Sequence, residues 1–222
     1  MSSAQVSLGR PSIPLDRILM AALQIVNDEG ADALTLRYLA KQLSSGTATL
    51  YRHFESREDL IAQVVDRVFA EMESSMPGID NLGWEMTCRM LANHMFKVLC
   101  HHRGVAPLLL QSVPKGPNAM IQRERSLALL LANGFSTPLA VRAYVTLARY
   151  VLGFAVQLSD RHDEDRDNAQ ITATFLKLDR AAFPATFAVI DEFPIPLEEE
   201  FSFGLELMIA GLSQIRKCDL NQ

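Results

Sequence analysis

Cysteine is scarce in this chain of 222 residues: Cys88, Cys100 and Cys218 are the whole supply, odd in number and widely spaced. They fit neither a disulfide framework nor a zinc site, and they point to a reducing, cytoplasmic setting. Long uncharged runs are also missing. The longest, Ser126–Val141, has 16 residues and contains Asn133, Gly134 and Pro138; it is too short and too broken to span a bilayer, so no membrane is expected as a partner. Met1–Pro14 shows no basic patch followed by an apolar run, the mark of a signal peptide. No Gly-x-Gly-x-x-Gly, Gly-x-Ser-x-Gly or His-Glu-x-x-His string occurs, which removes the usual signatures of cofactor-dependent or hydrolytic enzymes. Alternation with period two is not sustained after residue 80, and no repeat of fixed period is present.

What is present is an ordinary globular balance, 49% apolar and 21% charged residues, in a length suited to one or two domains. The net charge of −5 argues against nucleic acid for the chain as a whole. Its distribution argues otherwise. Thr35 to Arg57 carries four fixed cations (Arg37, Lys41, Arg52, Arg57) against the single anion Glu55, while the rest has 17 cations against 25 anions. A short basic segment on an acidic body is an electrostatic footprint for DNA.

Periodicity predicts helices throughout. Residues 1–12, small and polar, read as a flexible arm. Leu15, Ile18, Leu19, Ala22, Ile25 and Val26 form one apolar stripe that Gly30 ends. Thr35 is placed to cap a short helix with Leu36, Leu39, Ala40 and Leu43 inward. Ser44-Ser45-Gly46 is a turn, and Thr47 is expected to cap a third helix, Ala48–Phe54, with Leu50 and Phe54 inward. Ser56-Arg57-Glu58-Asp59 resembles a capping box opening a fourth helix that runs to about Ser75. Further helices are expected near Trp84–Arg103, Asn118–Asn133, Thr137–Asp160, Asn168–Ala182, Thr186–Glu192 and Glu198–Cys218, with Arg161–Asn168 as a charged loop. The fold class is all-α, with a helix-turn-helix unit at 13–60 and a larger helical domain at 61–222.

Thr35–Phe54 is a helix, a tight turn and a second helix whose polar surface carries Thr47, Thr49, Tyr51, Arg52 and His53. Hydroxyls and cations reach phosphate oxygens, and a few side chains at a helix start reach base edges. Short residues at Thr47, Ala48 and Thr49 let such a helix enter the major groove, where Ala48 and the threonine methyls can meet a thymine methyl. Arg52 suits guanine. A structural helix-turn-helix with Tyr51 in its core is the plainer alternative.

The strings Thr35–Leu43, Thr49-Leu50-Tyr51-Arg52-His53-Phe54 and Ser56-Arg57-Glu58-Asp59-Leu60 resemble the DNA-binding domain of the tetracycline-repressor (TetR) family. The resemblance implies that Tyr51 and His53 contact backbone phosphate, that Arg57 is a phosphate anchor, and that Arg37, Thr47 and Ala48 meet bases or backbone; Lys41 joins them as a cation of the same segment. One departure is visible: the family usually has Gly and an aliphatic residue where Ser44 and Ser45 stand. Gly134-Phe135-Ser136, the helix up to Gly153-Phe154, and Phe201–Leu207 resemble the tetracycline-repressor branch more loosely. They imply an all-helical domain for effector binding and dimerisation.

Residues 138–159 carry only Arg142 and Arg149, and residues 201–215 only Glu206. Helices apolar around most of their circumference bury more than one face. A four-helix interface between two chains is expected, with Arg149, Gly153, Gly204, Leu205, Met208, Gly211 and Leu212 at it; the alternative is that both helices are central in one monomer. Met86, Met90, Met95 and Met120, with Phe135 and Phe154, are candidates to line an apolar effector pocket, or plain core. The tetracycline repressor holds its drug through magnesium; the positions corresponding to its histidine and acidic ligands fall near Leu108 or Leu109 and at Gln157, so a metal-free, more apolar effector is expected. His94, His101 and His102 read as helix-end histidines rather than ligands, and Asp160, Asp163, Glu164, Asp165 and Asp167 lack a calcium-loop layout. No metal or cofactor is expected. The expected function is that of a non-enzymatic homodimeric repressor released from a palindromic DNA operator by a small apolar molecule. An activator or co-repressor-dependent regulator, or a small-molecule carrier or enzyme, are the alternatives.

Overall fold

The computed structural model describes residues 13–76, 78, 82–111, 113–160 and 164–219. The expected arm at 1–12 lies outside them, as do the side chains of the acidic run from Asp160 to Asp167. The described residues form eleven α-helices and two short 3-10 turns, with no strand among them.

Four helices open the chain: α1 (Leu15–Glu29), α2 (Leu36–Gln42), α3 (Thr47–Leu50) and α4 (Arg57–Ser74). Gly30, at φ 84°, stops α1 and donates its N–H to Val26 O. The Thr35 hydroxyl caps α2 by accepting from Tyr38 N at 3.1 Å. At α4 the Ser56 hydroxyl accepts from Asp59 N at 3.1 Å, while the Asp59 carboxylate accepts from Glu55 N at 3.0 Å. That is the reciprocal cap the sequence signals, with the return bond displaced by one residue. Ile18, Ala22, Leu34, Leu39, Leu50, Phe54 and Leu60 fill the space between these helices.

Then follow α5 (Trp84–His101), α6 (Ala106–Gln111), α7 (Pro117–Ala132), α8 (Thr137–Asp160), α9 (Glu164–Phe175), α10 (Pro184–Ala188) and α11 (Leu197–Asp219). α4 continues out of the first group and packs against α7 and α5; α8 packs against α5, α6, α7 and α11. At the far end Phe201 stacks on Phe96 with ring centroids 4.1 Å apart and also meets Tyr150 and Phe154. Burial of one such ring contributes about 1.5–3 kcal/mol.

Several boundaries differ from the sequence reading. Between the helices expected at Trp84–Arg103 and Asn118–Asn133 lies a further one, α6, with Pro107 in its first turn, where its missing N–H costs nothing. Residues 164–168 are helical rather than loop, because charge alone does not break a helix. The chain leaves α9 at Phe175, and an Asx turn at Asp179, whose carboxylate accepts from Ala181 N at 3.0 Å, occupies what was expected to be helix. Pro184 starts α10 two residues earlier than expected. Finally, Thr137–Leu158 of α8 is long and apolar enough to cross a membrane by length and composition, with a mean hydropathy of 1.4 and only 33% of the stretch buried. Counting uncharged runs hid this, since Arg142 and Arg149 interrupt the count without lowering the average much.

Candidate nucleic-acid interface and internal cavity

The turn between α2 and α3 is made by Ser44, at φ 49°, with Ser45 N donating to Ala40 O at 2.9 Å. Gly46 has φ −84° and is the N-cap of α3. The left-handed residue is therefore the serine and not the glycine, and Thr47 is the first helical residue rather than the cap. α3 is also shorter than expected: after Leu50 the backbone closes only in turns up to His53.

Leu50 and Phe54, almost fully buried, hold the underside of α3 to the core. The opposite side faces out. Arg37, Lys41, Thr47, Ala48, Tyr51 and Arg52 are exposed, and Thr49 and His53 are half-buried. Tyr51 is 61% exposed, which excludes a core role. Arg37, Lys41 and Arg52 make no ion pair among the described residues, so their charge is uncompensated at short range. Two threonines, a short alanine, a phenol and three cations are thus carried by α2, α3 and the turns after it, most of them exposed, which is the chemistry for phosphate oxygens and base edges.

Arg57 is the exception. Its Nε donates to Leu34 O at 2.7 Å and its Nη2 to Ala31 O at 2.6 Å, with Asp32 3.9 Å away. The guanidinium caps the 3-10 turn Ala31–Ala33 and fastens the start of α4 to the loop before α2. Tyr38, not singled out by the sequence, is braced in the same region. Its hydroxyl donates to Glu29 Oε1 at 2.8 Å and accepts from Gln42 Nε2 at 2.9 Å. The bond to Glu29 raises the phenol pKa above its ordinary value, the Gln42 bond opposing it. Nothing in a one-dimensional pattern couples Glu29 to Tyr38.

The larger half encloses a cavity of about 530 Å³, bounded by α4, α5, α7 and α8 together with Leu109, Val113 and Pro114. A volume of this order holds a drug-sized molecule. Of the six pocket candidates only Met95 lines it. Met86 and Met120 are on the outside, 46% and 45% exposed. Met90 is half-buried away from the lining. Phe135 packs edge-on against Trp84, and Phe154 belongs to the cluster with Tyr150 and Phe201. Helical spacing located apolar faces and could not say which of them leave a gap. Residues the sequence missed include Gln122, Arg123, Ser126 and Tyr144. Their signal was the intrusion of polar side chains on the inner faces of α7 and α8. The Cys88 thiol also lines the cavity; burial first, and Glu85 second, push its pKa up to about 11. It is a hydrocarbon-like wall, not a nucleophile. A magnesium-held drug does not fit: Leu109 is hydrocarbon at the wall, Leu108 is buried, and Gln157 is an exposed amide outside the lining.

Helix α4 touches both regions. The buried Asp66 accepts from Ala119 N at 3.0 Å and from Asn118 Nδ2 at 2.8 Å. It thereby caps α7 from outside, and a Cβ at Gly116 would fall 2.2 Å from its carboxylate. Glu73 pairs with Arg125 of α7, and Arg67 pairs with Asp16 of α1. His102, at the end of α5, is buried and has partners for both ring nitrogens. Its ring meets Asn27 Nδ2 at 3.1 Å and Glu71 Oε2 at 2.8 Å, joining α1, α4 and the end of α5. His94 lies 2.9 Å from Met72 O, and His101 is exposed.

The expected interface residues divide. Leu205 is 1% exposed and belongs to the monomer core, against the expectation. A Cβ on Gly204 would lie 2.1 Å from the Tyr150 hydroxyl, so that glycine serves packing inside one chain. Arg149 lines the cavity. Gly153 and Gly211 face open space, and Met208 and Leu212 are half-buried. The outward stripe of α11 is Phe203, Leu207, Gly211 and Ile215, its three large residues 69%, 60% and 52% exposed.

Comparison with known proteins agrees along the whole molecule. The family model for bacterial regulatory proteins of the tetR type matches residues 18–64, and that for the tetracyclin repressor-like C-terminal domain matches residues 76–216. The HTH-type transcriptional repressor DrrR1 of Streptomyces coeruleorubidus is 29% identical over 91% of this chain and 78% of its own. The class G tetracycline repressor protein of Vibrio anguillarum is 25% identical over 91% and 95%. The crystal structure of the Streptomyces coelicolor TetR family protein ActR in complex with actinorhodin superposes with a TM-score of 0.81, at 29% identity over 92% of this chain and 98% of that one.

Proposed function

The chain belongs to the tetR family of bacterial regulatory proteins, and from that premise we propose that it is a cytoplasmic homodimeric repressor, freed from a palindromic operator when a small, mainly apolar molecule fills the cavity. The observation that carries this reading is α4. One helix begins at the loop behind the cation-bearing face and ends against the cavity wall.

In the free protein two copies of α3, about 34 Å apart, meet successive major grooves. Arg52 reads base edges together with Thr47, Ala48 and Thr49. Arg37, Lys41, Tyr51 and His53 hold phosphates. Arg57, with two of its N–H groups already engaged, positions α4 more than it binds DNA. A ligand that spreads α7 from α8 pulls on Asp66 and Glu73, and through α4 moves the reading heads off register. The coupling equals the ligand's difference in affinity for the two arrangements, typically about 1–3 kcal/mol. No catalytic step is needed, and the protonated Cys88 offers none.

The unpaired faces support two-fold pairing. α8 is apolar well beyond its buried third, and α11 presents the stripe Phe203, Leu207, Gly211 and Ile215. These faces suit a four-helix contact between copies. Domains split within α4, the reader at 13–60 and the sensor at 61–222.

Electrophoretic mobility shift with the DNA upstream of the chain's own coding sequence tests the reading. Sequence-selective, salt-sensitive binding by wild type, altered base preference in Arg52→Ala and a monomer in sedimentation of Leu207→Asp are expected. Binding that ignores sequence, or a Leu207→Asp protein that stays dimeric, overturns the corresponding part. Leu205 is unsuited to that test, since a charge there would disrupt the monomer itself.

A further inference from the structure

The polar residues of the cavity wall have one sign. Arg123 on α7 and Arg149 on α8 both line it, and among the described residues no aspartate, glutamate, lysine or histidine does. Neither arginine is neutralised by a carboxylate among the described residues. Arg123 Nη1 meets only the sulfur of Met120 at 3.1 Å, and its Nη2 meets Pro114 O at 3.4 Å. Both acceptors are neutral, and the second bond is long. Arg149 makes no hydrogen bond or ion pair among the described residues. Tyr144 also lines the cavity, and its hydroxyl makes no hydrogen bond among the described residues. The remaining wall is almost all hydrocarbon, including Phe69, Leu91, Leu127, Leu130 and Val151.

Arg123 is half-buried and Arg149 is exposed at the edge of the cavity, so water solvates both until a ligand enters, and an anionic ligand replaces that water with a charge-assisted partner for each. Elsewhere on this molecule the arginines that face carboxylates pair with them: Arg67 with Asp16, Arg89 with Glu206 and Arg125 with Glu73. We propose that the effector is a largely apolar acid, its hydrocarbon body against α5 and α7 and its anionic group taken by the cavity's arginines, Arg123 and Arg149, with the Tyr144 hydroxyl as a further donor. The proposal rests on the cavity being the effector site, and it narrows the class of molecule that site takes. It also gives the ligand a grip on two helices at once. The anion is bound by arginines from α7 and α8, and α7 is the helix that Asp66 ties to α4.

Two fluorescent probes of matched shape separate the possibilities: anilinonaphthalene sulfonate, which carries an anion, and phenylnaphthylamine, which does not. Titration of the full-length protein is expected to show the sulfonate bound about tenfold more tightly than the neutral probe. Arg123→Gln and Arg149→Gln are each expected to lower the ratio of the two affinities by about fivefold, the double variant erasing the preference. Ala148→Trp, which fills the chamber, is expected to expel both probes. Equal affinity of wild type for the two probes, or a ratio indifferent to both arginines, overturns the anionic effector while leaving the cavity as the site. Failure of both probes to bind, or binding that survives Ala148→Trp, overturns the cavity itself and the proposal with it.

Discussion

The reading head and the sensor solve opposite problems with the same secondary structure. In the head, functional groups point outward from a small core. Arg37, Lys41, Ala48, Tyr51 and Arg52 need only a firm floor of Leu39, Leu50 and Phe54 beneath them. In the sensor they point inward, and the working feature is space left unfilled between α4, α5, α7 and α8. An outward face tolerates exchange of its side chains as far as stability goes. An inward one does not, since every wall residue is also a packing residue.

The largest effect that sharpens this contrast is electrostatic. Ala48→Glu places an anion at the centre of the exposed face. It is expected to weaken operator binding about a hundredfold or more while sparing the thermal midpoint and probe binding in the cavity. Loss of both functions would erase the separation of the two regions. Asp66→Ala comes next. It strips α7 of its outside cap and leaves the Ala119 N–H buried, an expected loss of about 1–3 kcal/mol by chemical denaturation. Beyond that loss, ligand-induced release of DNA should fade while binding of each partner separately persists. An unchanged response to ligand would show that α4 takes its signal elsewhere.

Alkaline titration comes third. The unfolded Cys88 thiol ionises near 9 and the folded one near 11. The unfolded chain therefore sheds protons first, and stability falls as pH rises from about 9 to about 11. The full loss approaches about 3 kcal/mol for this group. Burial likewise pushes the Cys100 thiol up to about 11, so Cys88→Ala should reduce the slope by about half, and the head, which has no cysteine, should contribute none of it. An unaltered slope in the variant would remove the buried thiol as its cause. The smallest effect belongs to the turn. Ser44 holds φ 49°, and Ser44→Gly relieves left-handed strain at some cost in unfolded-chain entropy, for a net gain of about 0.5 kcal/mol. A loss of stability there would mean that the serine side chain is itself needed.

The head was almost wholly legible in the amino-acid order. Thr35 and Ser56 cap where their spacing says, and Leu50 and Phe54 turn inward as their period requires. The residues of its outer face fall within a 23-residue window. Arg57 shows the limit even here. The resemblance marks it for phosphate, and only the fold shows that its Nε and Nη2 also donate to the carbonyls of Leu34 and Ala31, more than twenty positions away. In the sensor the limit is general. Met86, Met90 and Met120 have the composition of a pocket wall, yet none of them lines the cavity, and Gln122, Arg123, Tyr144 and Arg149 do.

Helix identity, capping and the basic character of one short segment follow from interactions within about four residues, so the chain's order alone determined them. The volume of the cavity, the arginines brought together on its wall and the capture of α7 by Asp66 depend on distances between residues 26 to 53 positions apart. Those distances exist only after the helices have packed, and small offsets in packing decide whether a face meets a neighbour or an empty space.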